Sequence, residues 1–130
     1  MLDECMHTLQ DHHDAWRLSA CQGVKVKLNR LGGLTRAQQV RDLGVELGRQ
    51  MHIKDVGGSA VADTAAIHLA ASTQDANRLA SWLCHHHLSS NLVPGQGARN
   101  QGGFATPPST PGLVLRPHED RLGPPVAIYE

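Results

Sequence analysis

The sequence predicts an α/β fold built on a parallel sheet, and three observations predict it. Short strand-like runs recur at 24–28, 51–54 and 79–85, stretches of helical periodicity separate them, and the connections between are short. Strands that alternate with helices in this way need crossover connections, and crossovers make the strands parallel. At 130 residues the chain can bury one modest core.

Residues 1–5 read as the end of a strand that begins further upstream. Thr8-Leu9-Gln10-Asp11 has the form of a capping box with Asp in place of Glu. Leu9, His12, Trp16 and Ala20 then recur at helical spacing, and Gln22-Gly23 ends that helix. Along Val24-Lys25-Val26-Lys27-Leu28 the valines and the leucine share one face and both lysines share the other. Helices packed on the apolar face would turn the lysines inward, where desolvation lowers an ammonium pKa toward a value useful for a base. The alternative is a solvated edge strand with its lysines outward.

Thr35 is expected to open a second helix, with Ala37, Val40, Leu43, Leu47 and Met51 as its stripe. A strand at 51–54 follows, ended by Asp55-Val56-Gly57-Gly58. Ser59 is expected to cap an Ala-rich, buried helix over 60–71 that contains His68, and 79–85 is the last strand. From Leu88 onward Pro and Gly dominate, and 94–130 reads as a Gly/Pro-rich loop and packing tail. Its small apolar segments are 113–115 and 126–129.

Composition excludes several classes. The formal net charge is zero, so no charge excess points to nucleic acid or a membrane surface, and no apolar run approaches the roughly 20 residues of a membrane span. Cys5, Cys21 and Cys84 are odd in number and widely spaced. With no basic, signal-like N-terminus, they predict a reducing, cytoplasmic setting.

Leu2-Asp3-Glu4, Lys27-x-Asn29-Arg30-x-Gly32-Gly33-Leu34-Thr35, Asp55-x-Gly57-Gly58 and Pro111-Gly112-Leu113 together resemble the C-terminal half of the enolase superfamily. The likeness is to its muconate-lactonizing and mandelate-racemase-like members. The stretch 80–88 with Pro94-Gly95-Gln96-Gly97 is similar to the subgroup of cis-3-hydroxy-L-proline dehydratases. The resemblance implies strands five to eight of a (β/α)8 barrel over residues 1–93. It also implies that 94–130 would pack on a capping domain lying upstream with the first half. A complete barrel takes about 250 residues, so the chain alone is expected to be inactive.

The implied reaction is abstraction of the proton α to a carboxylate, leading to dehydration or epimerisation of a hydroxy or amino acid. The implied partners are Mg2+ and a small-molecule carboxylate substrate, and the full-length protein is expected to be a homo-oligomer. Asp3 matches a ligand of the metal, Glu4 the acidic neighbour that follows it, and Lys27 the acid/base lysine of the sixth strand. Lys54 stands where relatives tend to carry Glu.

Lys25, two residues deeper than Lys27, reads as a buried-pair or pocket-supporting residue, and Asn29 with Arg30 sits at the strand's mouth. Asp55 ends the next strand at the same mouth, and His85 or His87 would line the pocket from the last strand. Cys84 reads as a small buried residue. Two other classes compete with the enzyme. One is a small His/Cys zinc-binding module built on His85-His86-His87, and the other is a half-barrel remnant or split-barrel subunit with open edges.

Overall fold

The computed structural model describes residues 1–128; Tyr129, the end of the last apolar segment, lies outside the described residues. Helix α1 spans Leu9–Arg17 and opens with the capping box expected of it. Asp11 N donates to Thr8 Oγ1 at 3.1 Å, and Thr8 N donates to Asp11 Oδ2 at 2.7 Å. Strand β1 (Gly23–Lys27) runs directly into a one-turn helix α2 (Leu28–Leu31), and α3 (Leu34–Glu46) follows. Here one expectation is corrected. Thr35 lies inside α3, and Gly33 is its N-cap, with no side-chain cap hydrogen bond. The Gly32-Gly33 corner turns the chain more sharply than a threonine cap would, with φ of 83° and 121°.

Strand β2 (Gln50–Lys54), helix α4 (Ala60–Ala71) and strand β3 (Arg78–Trp82) complete the repeating part. Ser59 sits at the N-cap of α4, but its side chain makes no cap hydrogen bond. The sheet has the order β1-β2-β3, with both pairings parallel. A parallel bridge of Leu2 to Val24 adds the first residues on the far side of β1. Leu2 N donates to Gly23 O at 3.1 Å and Lys25 N to Leu2 O at 2.9 Å. The four sequence runs therefore lie side by side in chain order.

One face of the sheet is covered by helices. Val24, Val26, Met51 and Ile53 are fully buried there with Trp16, Val40 and Ala66, which packs most of the large apolar side chains into one cluster. Burial of such side chains is the main stabilising term. The pleat then dictates that Lys25, His52 and Ala80 form a row on the opposite face. Lys27, Lys54 and Trp82 form a second row at the strand ends.

The last strand stops earlier than the sequence suggested. β3 ends at Trp82, where its β2 partner ends, and His85–His87 form a 3-10 turn rather than strand. The region after it is less irregular than expected. β4 (Arg99–Gln101) and β5 (Phe104–Thr106) form an antiparallel hairpin over Gly102-Gly103. Beyond it the chain is tied to its own 91–96 loop, with no strand at 113–115. His118 N donates to Leu92 O at 2.9 Å, Arg116 N to Gln96 Oε1 at 3.0 Å and Arg121 Nη1 to Asn91 O at 2.8 Å.

Candidate active site

The parallel register sets the C-terminal ends of the strands side by side, and that end gathers the charged residues. Asp3 lies beside β1 because Leu2 is bridged to Val24, which turns its neighbour to the lysine face. Lys25 Nζ donates to Asp3 Oδ2 at 2.7 Å, and Lys27 Nζ donates to Glu4 Oε1 at 2.7 Å and also contacts Asp3 Oδ1. Arg30, one helical turn beyond β1, pairs with Glu4 and donates to the carbonyls of Asp3 and Glu4. The structure thus brings Asp3, Glu4, Lys25, Lys27 and Arg30 into one alternating network. The edge-strand alternative for the lysines is overturned, since the Lys27 side chain is 4% exposed.

The charge states follow from these contacts. Burial pushes the Asp3 carboxyl up, but hydrogen bonds and charge from Lys25 and Lys27 outweigh it and hold Asp3 at about 2. For Lys27 the expectation is reversed. Burial pulls its ammonium down, yet the contacts it donates to the Asp3 and Glu4 carboxylates win and raise its pKa above the ordinary lysine value. An inward lysine is not automatically a neutral one, because two carboxylates arrive with it. Glu4 is lowered, by Lys27 first and Arg30 next.

Asn29 and Asp55 meet as well. Asn29 N donates to Asp55 Oδ1 at 3.3 Å, and Asp55 is 1% exposed. Gly58 explains part of the Gly-Gly signature after it. A Cβ at Gly58 would lie 1.8 Å from Asp55 Oδ2, so only glycine lets the loop close over that carboxylate. Cys84 Sγ donates to Asp55 O at 3.3 Å, which makes it a buried tie between two strand ends.

The histidines part company. Because 85–87 is a turn, the strand rule of opposite faces does not govern them. His85 faces Asp63 in the first turn of α4, and one carboxylate oxygen, Oδ2, takes both the His85 backbone N–H and its Nδ1, each at 2.7 Å. His87 instead stacks on Trp82 with ring centroids 6.0 Å apart. Asp63, fully buried, is the residue that sequence reasoning missed. Its signal was an acid placed within a largely apolar, Ala-rich helix.

Residues 1–121 match the enolase C-terminal domain-like family. The chain belongs to that family. An enolase superfamily member from Roseovarius nubinhibens ISM is 65% identical, superposes with a TM-score of 0.94, and is matched over 100% of this chain and 35% of its own length. The same comparison with its magnesium complex gives a TM-score of 0.95. A mandelate racemase/muconate lactonizing enzyme from Roseovarius nubinhibens ISM is 27% identical over 96% of this chain and 34% of its own, with a TM-score of 0.90. The cis-3-hydroxy-L-proline dehydratase of Roseibium aggregatum is 33% identical over 106 residues, which are 82% of this chain and 29% of that protein. The chain therefore spans about a third of the length of the relatives it matches. The α/β sheet corresponds to the C-terminal part of the family's barrel.

The network suits a divalent cation in kind. Asp3 Oδ1 is buried and accepts no well-directed hydrogen bond, although the Lys27 ammonium touches it, and carboxylate oxygen is the donor type that Mg2+ selects. It is short in number. Among the described residues no three His, Cys, Asp or Glu side chains converge as a metal cluster, and His85-His86-His87 are not arranged as one. Among the described residues no helix is long and apolar enough to cross a membrane.

Proposed function

We propose that this chain supplies the proton-transfer lysine and a metal-binding carboxylate of an enzyme that abstracts the proton α to a carboxylate. The product step is dehydration or epimerisation of a small hydroxy or amino acid. The observation that carries the reading is the Asp3–Lys27–Glu4 cluster at the strand ends of an enolase-family sheet.

Asp3 is the residue that would hold Mg2+, whose charge would compensate the substrate carboxylate as its α-proton leaves. Lys27 carries the proton. Held as an ammonium by Asp3 and Glu4, it is a donor as the chain stands, and it becomes an acceptor only when those carboxylates engage elsewhere. Lys25 keeps Asp3 ionised and oriented, while Arg30 fixes Glu4 against Lys27. Asn29 and Asp55 hold the ends of β1 and β2 together.

The test joins this chain to the N-terminal portion of the 65%-identical relative, adds Mg2+, and follows exchange of a substrate α-proton for deuterium. Lys27→Ala should slow exchange by about 10²–10⁴-fold, the usual span for losing a general acid or base. Exchange that persists unchanged in Lys27→Ala would refute the assignment.

A further inference from the structure

The sheet face that carries Lys25 and Lys27 bears a third cation that the proton transfer above does not use. Along β2, Met51 and Ile53 are fully buried in the core, so alternation turns His52 and Lys54 to the opposite face. The register pairs Lys27 with Lys54, and Lys54 with Trp82, as one row across the strand ends. Lys25 and Lys27 are neutralised by Asp3 and Glu4, whereas Lys54 has no carboxylate within ion-pair distance among the described residues. It rests instead 5.7 Å over the Trp82 ring, which itself stacks on His87. The indole face steadies an ammonium without neutralising it and leaves its N–H donors unspent. Its field reaches along the face: the His52 pKa is lowered by burial first and then by the charges of Lys54 and Lys25.

We propose that Lys54, seated on Trp82, is a specificity-determining residue that binds a second carboxylate of the substrate. The site would then take hydroxy- or amino-dicarboxylates in preference to monocarboxylates. The inference rests on the reading that Lys27 faces the substrate α-carbon. Neighbouring strands lie roughly 4.8 Å apart, so Lys54 stands one strand's width from Lys27. From an α-carbon the far carboxylate oxygens of a four-carbon acid lie about 3–4 Å away, and a hydrogen bond of about 2.8 Å to an ammonium covers the rest. One ammonium matches one carboxylate; a phosphate would call for several converging donors, and among the described residues Lys54 is the cation of this row that no carboxylate pairs.

The test titrates the chain with malate and with lactate, two hydroxy acids that differ in the second carboxylate, and follows the Trp82 indole N–H by NMR. Malate should bind about tenfold more tightly, as expected for one added charge-assisted hydrogen bond. Lys54→Gln should erase that difference and Lys54→Arg should retain it. Equal affinities for the two acids, or a malate preference that survives in Lys54→Gln, would overturn the proposal. The titration does not read proton exchange, so loss of exchange with the malate preference intact would sink the proposed function alone.

Discussion

At the scale of single residues the site depends on which buried polar group answers which. Asp63 receives both a backbone and a ring N–H of His85 on one buried oxygen. Asp63→Ala would leave both donors buried and unmatched, which costs about 1–3 kcal/mol, while Asp63→Asn keeps an acceptor and should cost less. Urea denaturation of the two variants checks the order. Gly58→Ala should destabilise for a different reason, because its methyl would occupy the place of Asp55 Oδ2. Alternation along β1 puts Lys25 and Lys27 on one face, whereas Asp3 and Glu4 stand out in the sequence only through the family resemblance. Asp63 was not legible, since a partner 22 residues away on another element leaves no periodic trace. The direction of the Lys27 shift was misread on the same ground: alternation shows which way a side chain points but not what waits for it there.

At the scale of elements, apolar stripes and the two-residue capping box were readable, and features set by a glycine conformation or a local backbone bond were not. The box at Thr8 and Asp11 opens α1, and Thr8→Ala should cost about 1 kcal/mol. Within the same helix His12 is fully buried, with its Nδ1 2.7 Å from Thr8 O and its ring edge-on to Trp16. Burial lowers its pKa from 6.5, so the folded chain refuses a proton that the unfolded chain accepts. Stability should therefore be complete above pH 6.5, fall as the pH drops through that value, and level off below the folded pKa. Melting curves between pH 8 and pH 5 would show the loss, and His12→Gln should reduce it, leaving the share that the similarly lowered His52 contributes. By contrast, the Gly33 cap, the 3-10 turn at His85 and the hairpin at 99–106 were misread. Each is settled by a glycine conformation or a local backbone bond rather than by an apolar stripe. The hairpin strands, three residues each and almost wholly exposed, carry no alternation to find.

At the scale of the molecule the helices cover one side of the sheet, and its last strand is paired on one side only among the described residues. β3 ends the order β1-β2-β3, and Leu79 and Trp82 on it are each 50% exposed. Phe104, on the hairpin beside it, is 79% exposed. A parallel strand with free backbone N–H and C=O groups and apolar side chains along it is a template for another strand. The first residues at the opposite margin are joined by a single bridge and carry the paired Asp3 and Glu4, so they offer far less edge. The 130-residue chain should therefore associate with itself through β3, and its sedimentation coefficient should rise with concentration. Leu79→Lys places a charge at the middle of the exposed run without touching the core, so it should hold the chain monomeric at the same concentrations. Joining the N-terminal portion of the Roseovarius nubinhibens relative should do so too, because a neighbouring strand would then occupy the edge. Self-association that persists in Leu79→Lys, but stops when Phe104→Lys is made, would place the contact on the hairpin instead and remove β3 from the account.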